Sequence, residues 1–242
     1  MVETTTPTRR SFLRRTGASA FAVAIGSVTS DFTFAAEVPV LPKPQNALSP
    51  DDAIKRLMEG NARYVLGVTR RHDSAHEREA LTRGQNPYAA VLSCADSRIA
   101  PEYAFDSARG DLFVTRVAGN FVNDDVLGSI EYAVAVLNVP VVLVLEHDKC
   151  GAVDAAVKVA TKGVTYPGRI QSLAIAMLPA VSKVKGEATN LLDAAIAQNV
   201  RDSVAHLHAR SVIIQEAKQA GKLRIVGCVY RLSTGKIELL EW

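Results

Sequence analysis

Three apolar runs in the middle of the chain predict buried strands. Residues 88–93, 112–117 and 140–146 are dominated by apolar side chains without regular polar alternation, which is typical of parallel strands covered on both faces. Between the second and third runs, residues 124–138 place apolar side chains on one helical face behind two aspartates. This order of strand, crossover helix and strand predicts an α/β fold.

Helical spacing of apolar residues recurs on both sides of this unit. A serine cap, a proline and two aspartates open the first such segment, which predicts a helix over residues 50–65. Further helices are expected over residues 151–162, 169–184 and 188–221, the last broken near Ser211. Strands are expected over residues 223–231 and 236–240, joined by a Ser-Thr-Gly turn into a closing hairpin.

The first residues predict a targeting signal rather than part of the fold. Residues 8–14 read TRRSFLR and precede a weakly apolar run, a pattern that resembles a twin-arginine export signal. The run is shorter than the roughly 20 apolar residues that span a bilayer, so no stable membrane anchor is expected. Small residues predict cleavage after Ala35, with Ala36 as the alternative. A disordered basic tail is the other interpretation of this segment.

These boundaries predict three segments along the chain. A signal peptide covers residues 1–35, a proline-containing extended linker covers 36–48, and one folded domain covers 49–242. Export in the folded state by the twin-arginine route would make the mature protein periplasmic or secreted.

Composition narrows the classes of partner. With 242 residues, of which 48% are hydrophobic and 22% charged, the chain can bury a globular core. A formal net charge of +3 is too small and too evenly spread to indicate nucleic-acid binding, so a small molecule is the expected partner. The three cysteines leave one over from any single disulfide, which favours thiol or metal chemistry.

Potential metal ligands follow two of the predicted strands. Cys94, Asp96 and Arg98 come directly after the first strand, and His147 and Cys150 come after the third. Because the carboxyl ends of parallel strands meet at one edge of a sheet, these side chains are expected to lie together there. Two thiolates and one imidazole suit one zinc ion, and three protein ligands leave the fourth position open, as in catalytic sites.

Each of these residues also has a purely structural interpretation. Taken singly, Cys94 fits a buried core thiol, Asp96 a helix N-cap and Arg98 a surface cation. Their coincidence with His147 and Cys150 favours the metal site. The third cysteine, Cys228, lies within a predicted strand and is expected to be a core residue.

Together with these motifs, the sequence resembles the β-class carbonic anhydrases. The matching segments occur in that family's order, extend over roughly residues 51–240, and comprise residues 94–98, 110–120, 129–134 and 147–153. The resemblance implies a four-stranded parallel core with a fifth edge strand, a homodimer or tetramer, and one Zn2+ per chain. It also implies that Cys94, His147 and Cys150 hold the zinc, with Asp96 either paired with Arg98 or acting as a further ligand.

The implied activity is the reversible hydration of CO2 to bicarbonate and a proton by zinc-bound hydroxide. Zinc lowers the pKa of a bound water to around 7, which provides this nucleophile at neutral pH. Asp96 would accept a hydrogen bond from it, and Arg98 would hold Asp96 ionised and aimed. Two alternatives are a hydrolase of COS or CS2 on the same scaffold, and a zinc- or bicarbonate-binding module with little turnover.

The resemblance also gives two candidate substrate-binding residues and two departures. Gly119 matches a glycine of the family's substrate channel, and Ser107 stands where one branch has a glutamine. Glu146 replaces the usual glycine before the zinc histidine, and Asp148 replaces a small hydroxyl residue. Both acidic residues are expected to bring negative charge close to the zinc.

Overall fold

A computed structural model describes residues 42–186 and 188–241, without the side chains of residues 74–76, and contains a five-stranded sheet flanked by helices. Its strands are β1 (Ala89–Ser93), β2 (Leu112–Arg116), β3 (Val141–His147), β4 (Arg224–Tyr230) and β5 (Ile237–Leu239). The spatial order is β2-β1-β3-β4-β5, in which only the β4–β5 pairing is antiparallel. The expected fold, a mainly parallel sheet with a fifth edge strand, is confirmed. The predicted signal peptide, residues 1–35, lies outside the described residues.

The helices of the described chain follow the predicted segments with two additions. Their bounds are α1 (Pro50–Val65), α2 (Ser74–Leu81), α3 (Pro101–Ala104), α4 (Asp124–Ala135), α5 (Gly151–Lys162), α6 (Ile170–Ala176), α7 (Leu178–Val184), α8 (Leu191–Arg210) and α9 (Val212–Gln219). The sequence did not predict α2 and α3. Across the part of the chain described here, none of the helices has the length and apolar character needed to cross a bilayer.

Two helix boundaries have clear local causes. The predicted helix over residues 169–184 divides at Met177 because Pro179, at the start of α7, cannot continue a helix from the preceding turn. The predicted break near Ser211 is confirmed, since this residue is extended and its Oγ accepts a hydrogen bond from the backbone nitrogen of Ile214 at 3.2 Å.

The core consists of two layers, one on each face of the sheet. Val142 and Val144 of β3 pack in the layer that contains residues of α4 and α8, whereas Leu143 and Leu145 pack in the layer that contains residues of α1. Every residue of β3 is buried. Coverage of both faces explains why the strands read as apolar runs without polar alternation.

The part of the predicted linker that the structure describes is packed on the domain. Residues 44–46 form a short 3-10 turn, and the side chain of Asn46 is only 1% exposed. Lys43 Nζ lies 2.8 Å from Asp111 Oδ1, and Asn46 Nδ2 donates to the same oxygen at 3.0 Å. The expectation of an extended linker is therefore wrong for residues 42–48, because the buried carboxylate just before β2 takes its partners from this segment.

Candidate metal centre

Two neighbouring strands bring the three candidate ligands to one edge of the sheet. β1 pairs with β3, so Cys94, directly after β1, lies close to His147, the last residue of β3. Lys149 adopts a left-handed conformation with φ of 53°, and Cys150 then stands at the N-terminus of α5. The expected convergence at the carboxyl ends of parallel strands is thus present in the structure.

The spacing of the two thiols fits a single zinc ion. Cys94 Sγ and Cys150 Sγ are 3.9 Å apart, and neither forms a disulfide. Two sulfurs bound tetrahedrally at about 2.3 Å from zinc would be about 3.8 Å apart. Ligand atoms of Cys94, Glu146, His147 and Cys150 all lie within 4.8 Å of one another. The arrangement therefore needs little movement to surround one ion.

The imidazole of His147 is oriented for metal binding. Its Nδ1 lies 2.8 Å from the backbone oxygen of Asp148, and a carbonyl can only accept, so Nδ1 carries the proton. The lone pair is then on Nε2, which is buried and has no well-formed hydrogen bond among the described residues. A buried nitrogen without a partner costs free energy, and a cation in the cluster would satisfy it.

The two thiols are close enough for a hydrogen bond between their sulfurs. A hydrogen bond from Cys150 is the main cause that lowers the pKa of the Cys94 thiol. The backbone nitrogen of Gly119 also donates to Cys94 Sγ, at 3.3 Å. The same pairing raises the pKa of Cys150, which keeps its proton while Cys94 is a thiolate. A divalent cation would replace the proton of Cys150, since metal ligands must be deprotonated.

Glu146 contributes a buried carboxylate to the cluster. Its side chain is 0% exposed, and burial, reinforced by the negative charge of Cys94, raises its pKa to about 8. Oε1 accepts from the backbone nitrogen of His147 at 3.2 Å, and Oε2 accepts from Asn199 Nδ2 at 3.4 Å. With its amide nitrogen turned towards Glu146, Asn120 also donates to Oε2. The expected acidic side chain is therefore present beside the metal site, but burial favours its neutral form at pH 7 as long as no cation lies next to it.

Sequence reasoning missed the asparagine that supports this cluster. Asn199 of α8 is buried and donates to the backbone oxygen of Gly119 at 2.8 Å, as well as to Glu146. Asn199 and Ser203 stand four residues apart on a face that also carries Ile196 and Val200. Polar residues on an otherwise apolar helical face were the available signal.

Asp96 is paired with Arg98 at the border of the cluster. Arg98 Nε donates to Oδ1 at 2.9 Å and Nη2 donates to Oδ2 at 2.7 Å, a two-point pair that holds the pKa of Asp96 well below its usual range. Asp96 Oδ2 is 3.6 Å from His147 Nε2, but Asp96 is not among the four residues whose ligand atoms lie within 4.8 Å of one another. The structure thus shows the paired one of the two arrangements that the resemblance implies.

Asp148 has a different place from the one expected. Its Oδ1 accepts from the backbone nitrogen of Leu232 at 3.0 Å, in the turn between β4 and β5. Its backbone oxygen fixes the His147 ring. The carboxylate is therefore outside the ligand cluster, because the turn uses it as a hydrogen-bond acceptor, and its charge acts on the site from a distance, through Arg98.

The two candidate substrate residues lie in different places. Gly119 borders the cluster through its hydrogen bond to Cys94, and with φ of +76° a Cβ here would lie 2.3 Å from Met177 Sδ. Ser107 instead pairs with the hydroxyl of Tyr88 at 2.9 Å, at the start of β1. Cys94 follows the opposite end of that strand, so Ser107 does not join the metal cluster of its own chain. Within one chain, Ser107 is therefore not in a position to contact a substrate bound at that cluster.

Arg116, another residue without a predicted role, fixes the loop that carries Cys94 and Asp96. Its Nε donates to the backbone oxygen of Cys94 at 2.9 Å, and Nη2 donates to those of Asp96 at 2.8 Å and Ile99 at 2.9 Å. One side chain at the end of β2 therefore binds three carbonyls of the neighbouring loop. This contact positions the site without touching its ligand atoms.

Comparisons with known proteins agree on one family. A family model described as Carbonic anhydrase matches residues 89–237. Carbonic anhydrase 2 of Mycobacterium tuberculosis is 42% identical over 194 residues, covering 80% of this chain and 94% of the relative. The Coccomyxa β-carbonic anhydrase in complex with acetazolamide has a TM-score of 0.60 and 28% identity, covering 80% of this chain and 86% of that one. Two tetrameric β-carbonic anhydrases from Sordaria macrospora share the fold, with a TM-score of 0.65 and 22% identity, and the match covers 79% of this chain and 98% of that one.

Proposed function

This chain belongs to the β-carbonic anhydrase family, and from that premise we infer that Cys94, His147 and Cys150 hold the zinc ion of an enzyme that hydrates CO2 reversibly to bicarbonate and a proton. One observation carries the assignment of the site. Two free thiols 3.9 Å apart converge at the edge of the parallel sheet with Nε2 of a buried imidazole, which has no hydrogen-bond partner in the described part of the chain. This donor set is one that zinc prefers.

The chain's own residues prepare the site around the metal. When bound, zinc acts as a Lewis acid that lowers the pKa of water at its open position. Asp96 faces His147 Nε2 across 3.6 Å and can accept a hydrogen bond from solvent at this edge. Arg98 keeps Asp96 ionised and aimed, while Gly119 stabilises the Cys94 thiolate by donating its N–H. Arg116 holds the loop that carries both Cys94 and Asp96.

The protein assembles as a homodimer through the open edge of β2, and dimers can pair into a tetramer as in the Sordaria macrospora enzymes. Among the described residues, β2 has a strand partner on one side only, and an unpaired strand edge is a template for pairing with a second chain. Beside this edge, the Tyr132 ring packs 6.1 Å from that of Phe113 while remaining 47% exposed, and Val136 is 56% exposed. Sedimentation analysis should give at least two chains per particle, and a monomer would exclude this assembly.

Export by the twin-arginine route is the proposed path to the periplasm. The TRRSFLR segment at residues 8–14 supports this route. Because the route carries folded proteins, zinc could bind and protect the thiols before they reach an oxidising compartment. The Arg9→Lys, Arg10→Lys double variant is expected to remain in the cytoplasm. Normal periplasmic amounts of that variant would exclude the route.

Substrate choice gives the functional test. Zinc-loaded wild type is assayed by stopped flow with CO2 and, in parallel, with COS and CS2. Rapid CO2 hydration with slow or absent hydrolysis of the sulfur compounds is expected. Faster turnover of COS or CS2 than of CO2 would contradict the proposed substrate, and zinc-loaded protein without any turnover would indicate a binding module instead.

A further inference from the structure

The fourth member of the ligand cluster is Glu146, which stands where the resembling family has a glycine. Its Oε1 lies 3.8 Å from His147 Nε2, and its carboxylate belongs to the set of donors that lie within 4.8 Å of one another. Neighbouring ligand atoms of a tetrahedral zinc site are about 3.3–3.8 Å apart. The distances from the carboxylate to the other ligand atoms therefore exceed those of a zinc site by at most about 1 Å, without any movement of the backbone.

The surroundings of Glu146 contain only neutral donors. Its hydrogen bonds come from the backbone of His147, from the amides of Asn120 and Asn199, and from the thiol of Cys150. Among the described residues, no lysine or arginine forms an ion pair with it. A fully buried carboxylate without a cation is costly, and a cation held by Cys94, His147 and Cys150 would be its nearest compensation.

The other acidic residue of the site is already engaged. Asp96 is held by both Nε and Nη2 of Arg98, and its Oδ1 also accepts from the backbone nitrogen of Arg98 at 2.9 Å. Asp96 would have to give up this pair to reach the metal. Glu146 needs no such exchange, because β3 delivers it directly beside His147.

We propose that Glu146, and not Asp96, is the protein ligand that fills the fourth zinc position of the resting site. The inference rests on the proposed zinc site, and it gives the two acidic residues separate roles. Glu146 closes the coordination shell from the buried side. Asp96 stays on Arg98 at the solvent side, where it is available to the reaction once Glu146 has left the metal.

Two isosteric variants of the full chain test the proposal through metal affinity. Glu146→Gln removes the charge of the proposed ligand, and Asp96→Asn is the matched control at the other carboxylate. Competition with a zinc chelator is expected to show at least a ~10-fold loss of zinc affinity for Glu146→Gln and less than a ~2-fold change for Asp96→Asn. Equal affinities of Glu146→Gln and wild type, or a larger loss for Asp96→Asn, would overturn the proposal.

A zinc-loaded crystal structure of the wild type separates ligation from simple attraction of the cation, and it does not depend on the folding of any variant. A Glu146 carboxylate oxygen about 2.0–2.2 Å from zinc is expected. Asp96 at that distance, or Glu146 beyond about 3 Å, would contradict the assignment of Glu146.

Zinc content and CO2 hydration of the same preparation distinguish this inference from the proposed function. Wild type that binds zinc and hydrates CO2 with Glu146 off the metal overturns only the inference. Wild type with Glu146 on the metal and no turnover supports the inference and contradicts the function. Wild type that binds no zinc contradicts both.

Discussion

The guanidinium of Arg98 forms two hydrogen bonds with the carboxylate of Asp96: Nε donates to Oδ1 at 2.9 Å and Nη2 donates to Oδ2 at 2.7 Å. Nη2 also lies 3.3 Å from the backbone oxygen of Lys149, in the turn that precedes Cys150. The pair therefore joins the loop after β1 to the loop after β3. It fixes an ionised acceptor beside the metal cluster, and this arrangement has a direct consequence for catalysis.

Removing the guanidinium should impair the reaction without removing the metal. In Arg98→Ala, Asp96 loses both contacts that aim it, and a misplaced catalytic group costs on the order of 10²-fold in rate. Zinc content should stay the same, because the three ligands are untouched. Arg98→Lys, which keeps the charge but not the two-point geometry, should fall between Arg98→Ala and wild type.

The measurement for this pair is a pH–rate profile by stopped flow. Wild-type activity should rise from about pH 6.5 to 8.5, since a lower proton concentration favours the deprotonated nucleophile. Asp96 stays ionised over this range because Arg98 lowers its pKa far below it. Superimposable profiles of wild type and Arg98→Ala, with equal rates, would show that the pair has no role.

Metal content should depend on two of the three cysteines. Cys94→Ala, His147→Ala and Cys150→Ala each leave two of the three principal ligands and should lose most of the zinc. Cys228→Ala is the matched control, because Cys228 is a fully buried core residue whose Sγ faces the backbone oxygen of Val144 at 3.6 Å. Elemental analysis should give one zinc per chain for wild type and for Cys228→Ala. Full occupancy in His147→Ala would exclude the ligand assignment.

A side chain at Gly119 should destabilise the protein more than a side chain at Gly163, which also has a positive φ. A Cβ at Gly119 would lie 2.3 Å from Met177 Sδ, whereas at Gly163 a Cβ would have no described atom within 4 Å beyond its own chain neighbours. Gly119→Ala should lower the free energy of unfolding by about 2–3 kcal/mol, and Gly163→Ala by about 1 kcal/mol.

Denaturant titration measures these two differences in unfolding free energy. Zinc affinity should fall in Gly119→Ala only, because the N–H of Gly119 donates to Cys94 Sγ at 3.3 Å. Equal unfolding free energies and equal zinc affinities of the two variants would contradict the role given to this close approach.

Asp111 should stabilise the fold in a pH-dependent way. Burial opposes its ionisation, but hydrogen bonds from Lys43, Asn46 and the backbone of Ala108 lower its pKa below the usual value. A carboxylate with a lowered folded-state pKa contributes stability above its unfolded pKa, about 3.9, and loses it as pH falls through the folded value. Asp111→Asn should therefore destabilise the protein by about 2 kcal/mol at pH 7.

The difference between Asp111→Asn and wild type should shrink below about pH 4, which urea titrations at several pH values can follow. Asp51→Asn is the control, since Asp51 and its partner Arg224 are both exposed and such pairs contribute little. A destabilisation by Asp111→Asn that does not change with pH would contradict the charge-based account.

The sequence was sufficient to predict those elements whose structure is determined by local residue chemistry. Ser49 caps α1, with its Oγ accepting from the backbone nitrogen of Asp52 at 3.2 Å, and the predicted bounds of residues 50–65 are confirmed. The strands were recognisable because both faces of the sheet are covered, which leaves apolar runs. Cys94 and His147 could be brought together because parallel strands present their carboxyl ends at one edge.

Contacts between distant segments were not predictable in this way. α2 was missed because residues 77–81 are half-buried or exposed and show no apolar stripe. Asn199 reaches Glu146 across 53 positions of the chain, so no local pattern joins them. The contact of the Asp148 carboxylate was not predictable, because its donor, the backbone nitrogen of Leu232, is 84 residues away along the chain.

The most direct test of the central claim is CO2 hydration by the zinc-loaded wild type, measured by stopped flow beside Cys94→Ser and the matched variant Cys228→Ser. Cys94 is a proposed zinc ligand at the end of β1, while Cys228 is buried within β4 and outside the cluster. A loss of at least about 100-fold in Cys94→Ser, with Cys228→Ser retaining wild-type zinc content and turnover, is the predicted result. Wild-type turnover in Cys94→Ser, or no turnover in the zinc-loaded wild type, would contradict the account.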